Sequence, residues 1–101
     1  MRLTQNINGS GATMFIAGRV EASAVSDLHA DIGLMLENEA IRTLNIDLTR
    51  VEFIDSTVLG CFLVIEAKAK SKNIDLALVG CTGTVKDILN IANFGKIFPM
   101  R

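Results

Sequence analysis

Hydrophobic periodicity along this chain switches repeatedly between two and three-to-four, and that alternation most narrows the folds available. In "RTLNIDLTRV" (42–51) the apolar side chains of Leu44, Ile46 and Leu48 fall at every second position, the mark of a strand with one buried face. In "SAVSDLHADIGLMLENEA" (23–40), Val25, Leu28, Ile32, Met35 and Leu36 recur three to four apart, the mark of an amphipathic helix that Ser23 or Ser26 would cap. Ahead of these, residues 2–7 and "TMFIAGRV" (13–20) read as strands flanking "NGSG" turn chemistry, and together as a hairpin.

The alternation continues to the end of the chain. "VLGCFLVIEAKAKSKN" reads as a helix whose apolar half packs while Glu66, Lys68, Lys70 and Lys72 face water. "IDLALVG" (74–80) is a buried strand. Thr82 or Thr84 would cap a third helix over "VKDILNIANF", with Asp87 completing a capping box and Gly95 ending the helix. "KIFPM" would add a last short strand closed by Pro99. The order β-β-α-β-α-β-α-β predicts one α/β domain over residues 1–101. Its sheet should be mixed and four- to five-stranded, with three or four helices and right-handed crossovers.

Composition limits function by exclusion. Half of the 101 residues are hydrophobic and 21% are charged, enough apolar material for a packed core. With no Trp or Tyr, that core rests on aliphatic side chains, with Met14, Met35 and Phe15 among them and Phe94 and Phe98 covering the sheet's end. The formal net charge is −1 and no Lys/Arg-rich run occurs, which argues against nucleic acid as partner. "MRLTQNINGSG" lacks the apolar core of a signal peptide, and no apolar run is long enough to insert in a bilayer; a cytoplasmic location is expected. Cys61 and Cys81 read as buried thiols, and with the single His29 they make no zinc site, so no metal or cofactor is expected. His29 reads as a surface residue of the first helix. No phosphate-loop or dinucleotide fingerprint is present, and no catalytic residue is assigned.

One stretch remains to be explained. "FIDSTVLGCF" places Asp55, Ser56 and Thr57 between apolar runs, where a strand ends and a helix begins. Such residues are good helix caps. The same position, with its free N–H groups and partial positive charge, also accommodates a phosphate.

"LTRVEFIDSTVLGCFLV" resembles the signature of STAS domains, above all the bacterial anti-sigma factor antagonists, in which a strand leads through apolar-Asp-Ser-Ser/Thr-Gly-Leu-Gly into a helix. "AGRVEASAVSDLHADIGLML" resembles that family's Gly-x-apolar-acid element and first helix, and "VKDILNIANFGKIF" its third helix and last strand. The resemblance implies partner switching. The unphosphorylated protein binds an anti-sigma factor that is also a serine/threonine kinase, phosphorylation releases it, and a PP2C-type phosphatase restores it. Matched by position, the acceptor is Thr57, with Ser56 as second choice. The docking surface comprises Arg19, Glu21, Asp55, Ser56, Thr57, Val58, Leu59 and Gly60. Val58 stands where the family usually has Gly, which predicts a branched side chain on that surface. A monomer or weak dimer is expected. The chain's brevity also resembles the STAS subunits of bacterial lipid-transport ABC systems, which bind a transporter ATPase; constitutive binding of that kind is the alternative.

Overall fold

The computed structural model describes residues 1–100. Strand β1 (Arg2–Asn8) turns through Gly9, at φ 63°, into β2 (Gly11–Val20). A 3-10 turn (Ala22–Ala24) leads into α1 (Val25–Glu37), followed by β3 (Thr43–Ile54), α2 (Ser56–Ser71), β4 (Asp75–Val79) and α3 (Gly83–Ile91). The sheet order is β1-β2-β3-β4. The opening hairpin is antiparallel, and β2, β3 and β4 run parallel to one another. Among the described residues, the mixed α/β architecture thus has four strands and three α-helices.

The register explains where the core lies. Met14 pairs with Ile46, and Ile46 with Leu78; Leu44 pairs with Leu76. These side chains share one face, and they join Leu28, Ile32 and Leu36 of α1, Phe62 and Ile65 of α2, and Val85 and Leu89 of α3 in a single buried cluster. Right-handed crossovers between neighbouring parallel strands place the helices on one side. Each fully buried aliphatic side chain stabilises the fold by about 1.5–3 kcal/mol. The opposite face carries Phe15, Asp47 and Val79 in register. Phe15 is therefore no core residue as its sequence context suggested: it is 41% exposed on the face without helices.

β3 runs six residues beyond Leu48, where the alternating pattern that marks its start ends. Between Phe15 and Ala17 of β2 the partner residues advance from Asp47 to Arg50, and between Gly18 and Arg19 from Val51 to Phe53. Each shift inserts one extra residue into β3, breaking the two-residue period after Leu48 and re-aiming Val51 and Ile54 into the core.

The helix ends depart from the expected caps. Neither Ser23 nor Ser26 caps α1; its N-cap is Ala24, because the helix grows out of the preceding 3-10 turn. Thr82 is the N-cap of α3 but accepts no bond through its side chain, and Asp87 sits within the helix. Asn93, at φ 58°, takes the left-handed position expected for Gly95; a short polar side chain tolerates that conformation.

Gly95 falls instead in a 3-10 turn (Phe94–Lys96), and the chain goes on turning through Ile97 and Phe98 where a strand was expected. The turn stacks Phe94 on Phe98, with ring centroids 5.2 Å apart, and buries both. Among the described residues of this segment, Met100 alone bridges to the sheet, at Leu78.

Two glycines have opposite roles. Gly80 has φ 73°, and a Cβ there would run into the Thr49 side chain and backbone. Gly60 lies inside α2 with open space around it. In urea unfolding, Gly80→Ala should destabilise by about 2–4 kcal/mol through strain and overlap. Gly60→Ala should stabilise by about 0.5–1 kcal/mol.

Candidate functional site

The site is built where β2 and β3 end side by side. Arg19 pairs with Phe53 and Val20 with Ile54, so the loop after β2 lies against the start of α2. Asp55 joins the two. Its backbone N–H donates to the Val20 carbonyl at 3.2 Å. Its Oδ1 accepts the Val58 N–H at 3.0 Å, capping α2. Its Oδ2 accepts the Ala22 N–H at 2.9 Å, fastening the 3-10 turn. Hydrogen bonds to a charged acceptor are among the stronger ones in a protein.

Ser56 and Thr57 form the first turn of α2 and are both exposed. The N–H groups at these first two helical positions have no intrahelical acceptor, and the helix dipole places partial positive charge beside them. Val58, at the third position, is fully buried. The branched side chain expected on the docking surface therefore faces the core, because the residue three beyond the cap on this helix points inward with Phe62 and Ile65; Val58 supports the site from beneath. Leu59 is half-buried and Gly60 exposed.

Arg19 and Glu21 are exposed and form an ion pair at 2.9 Å, with the Arg19 guanidinium 4.6 Å above the Phe53 ring. A solvated pair of this kind contributes about 0–1 kcal/mol, so its main effect is to fix the shape and charge of the loop beside Asp55.

Sequence reasoning missed the continuation of the surface. At helical spacing from Thr57 lie Gly60, then Leu63 and Val64, 39% and 55% exposed. The signal was present: residues 58–65 are apolar all round, whereas a helix packed on one side buries only a stripe. Thr57 therefore heads an exposed strip of small and apolar side chains.

Other candidate groups lie elsewhere. His29 is exposed on α1, and no hydrogen bond joins it to Ser56 or Thr57 among the described residues. Burial pushes the thiols of Cys61 and Cys81 up, with Asp47 adding to the effect at Cys81, which disfavours a reactive thiolate. Among the described residues, no three His, Cys, Asp or Glu side chains converge to hold a metal ion. Nor, among the described residues, is any helix long and apolar enough to cross a membrane.

A family model described as the MlaB STAS domain matches residues 3–100. The chain belongs to the STAS domain family. A STAS-domain containing protein of Pseudomonas aeruginosa is 32% identical over 95 residues, covering 92% of this chain and 90% of that one. Among solved structures, an anti-sigma factor antagonist from Mycobacterium paratuberculosis superposes with a TM-score of 0.87 at 18% identity, covering 98% of this STAS domain and 83% of that chain. The phosphorylated form of the Bacillus cell fate determinant SpoIIAA superposes at 0.76 with 16% identity, covering 99% and 91%. At these identities the structures establish the shared fold of the STAS domain.

Replacing Asp55 tests the junction. Asp55→Ala removes a cap worth about 1 kcal/mol together with the tie to Ala22. Chemical denaturation should register a loss of about 2 kcal/mol, with Asp55→Asn intermediate.

Proposed function

We propose that this STAS domain is a protein-binding module that docks through the first half of α2 and is switched by a phosphate on Thr57. In its fullest form the reading is an anti-sigma factor antagonist. The unmodified protein binds an anti-sigma factor serine/threonine kinase, which phosphorylates Thr57 and is thereby released, and a PP2C-type phosphatase reverses the step. The observation that carries this reading is the position of Thr57: exposed, in the first turn of a capped helix, at the head of an apolar strip.

The physics of such a switch is local. An unmodified Thr57 is small and neutral, so a partner can close over it and over Gly60, Leu63 and Val64 at little desolvation cost. A phosphate adds roughly −1.5 to −2 charge. In the free protein the N–H groups of Ser56 and Thr57 and the helix dipole stabilise that charge. In the complex it would be buried under the partner beside the Asp55 carboxylate, where desolvation and like-charge repulsion oppose it. The difference between the two states weakens docking without rearranging the fold. Arg19, Glu21 and Asp55 would border the interface.

A second reading is constitutive binding to a transporter ATPase, as in the lipid-transport ABC systems; the MlaB description of the matching family model favours it. In that case the Asp-Ser-Thr turn is a cap within a permanent interface.

Mass spectrometry after incubation with ATP and a co-purifying kinase partner separates the two. The switch predicts one added phosphate, retained in Ser56→Ala and lost in Thr57→Ala, and a complex weakened at least tenfold by Thr57→Glu. A stable complex that takes up no phosphate would overturn the switch and leave the constitutive subunit. Val64→Asp should weaken the complex in either case while leaving the melting temperature of the free domain within a few degrees.

A further inference from the structure

The two edges of the sheet are not alike. At β4 the Leu78 N–H donates to the Pro99 carbonyl at 2.9 Å and Met100 bridges to Leu78, so the returning chain occupies part of that edge. Strand β1 pairs with β2 on one side, and among the described residues no segment pairs with its other side. Edge strands are commonly blunted by Lys, Pro or a bulge. β1 has none of these: it reads RLTQNIN, with Arg2 as its lone charge, and its ladder to β2 runs from Arg2 to Asn8 without a register shift.

The hairpin turn decides which groups point to the free side. Gly9 and Ser10 make a two-residue turn, which is closed by a hydrogen-bonded pair, so the peptide groups of Asn8 face Gly11. Backbone direction alternates along a strand, so the N–H and C=O of Ile7, Gln5 and Leu3 point outward. Gln5 and Ile7 are exposed and Leu3 is half-buried.

The side chains of these three residues lie on the helix side of the sheet, since they pair with Ile16, Met14 and Ala12 of the core. With Asp31, Leu34 and Asn38 of α1 they line a groove of about 290 Å³. Its apolar groups are poorly covered: Ile7 is 47% exposed and Leu34 68%. α1 connects the parallel strands β2 and β3 and so runs opposite to them, in the direction of β1. Asp31 therefore lies toward the Leu3 end of the groove, Asn38 toward the Ile7 end, and Leu34 beside Gln5.

We propose that this edge is the interface of a symmetric dimer, in which β1 pairs antiparallel with β1 of a second copy of this chain about a two-fold axis at Gln5. An isologous interface must be complementary to itself, and this one is. About Gln5 every outward peptide group finds a partner, Gln5 with its counterpart and Leu3 with Ile7 of the second copy. Centring the pairing on Thr4 or Asn6 leaves Ile7 or Leu3 without a strand partner. In the register about Gln5 the apolar Leu3 and Ile7 side chains meet across the seam, and Arg2 faces Asn8, so no like charges oppose. The axis also turns each Leu34 toward its counterpart and Asp31 toward Asn38, which an added peptide strand alone would not cover. Antiparallel pairing sets the two Thr57 surfaces at opposite ends of the joined sheet, so the dimer stands independently of the docking proposed there.

The test uses the full chain. Sedimentation equilibrium over a concentration series should show reversible association of monomer to dimer, and the amide chemical shifts that move with concentration should cluster at Leu3, Gln5 and Ile7. Leu34→Lys and Leu34→Glu, both at an exposed position, should each weaken association by about tenfold or more. An equimolar mixture of the two should recover it, because Leu34 faces its own counterpart. Under mild oxidation Gln5→Cys should give a covalent dimer and Asn8→Cys should not, with the wild-type chain as the control for Cys61 and Cys81. A monomer at every concentration, a dimer indifferent to both Leu34 changes, or cross-linking through Asn8→Cys but not Gln5→Cys would overturn the proposal.

Discussion

The Asp55 carboxylate is the joint on which the functional end of this molecule depends. Two connections leave the sheet side by side there, one after β2 and one after β3, and each begins with backbone N–H groups that need an acceptor. One carboxylate serves both, with one oxygen for Val58 and the other for Ala22. A shorter or neutral side chain would satisfy at most one. Because Asp55 is committed to the backbone, the neighbouring Ser56 and Thr57 are left at the surface, where chemistry on a hydroxyl does not unseat the helix.

Much of this was legible in the sequence, and the reasons differ by element. The alternation of Leu44, Ile46 and Leu48 and the spacing of Leu28, Ile32 and Leu36 carry both the secondary structure and the buried face, since burial drives both. Asp55, Ser56 and Thr57 were recognisable because capping needs short polar side chains at one place. The end of β3 was not, because two bulges break its period and only pairing with β2 reveals them. The last segment failed for a related reason. A single apolar run, "KIF", serves a strand or a turn equally, and the stacking of Phe94 on Phe98 decides for the turn.

Helix α2 shows why periodicity alone cannot rank surfaces. Its apolar residues outnumber the positions that can face the sheet, so Leu63 and Val64 remain exposed while Glu66 is drawn inward. The direction of Val58 likewise depends on the angle at which Asp55 starts the helix. One helix thus exposes an apolar strip under Thr57 and buries a carboxyl further along.

Strand β1 is of a different kind. Along β1 six of seven residues are exposed and only Leu3 is half-buried, so this strand is held by its ladder to β2 and by little apolar contact. Opening free energy follows buried contact more than hydrogen-bond count. β1 is thus the part of the sheet that detaches most easily, and its loss would uncover β2 while leaving the three parallel strands and the Asp55 joint assembled. The molecule divides mechanically into a removable outer ribbon and a tightly coupled remainder, and the docking surface proposed around Thr57 belongs to the remainder.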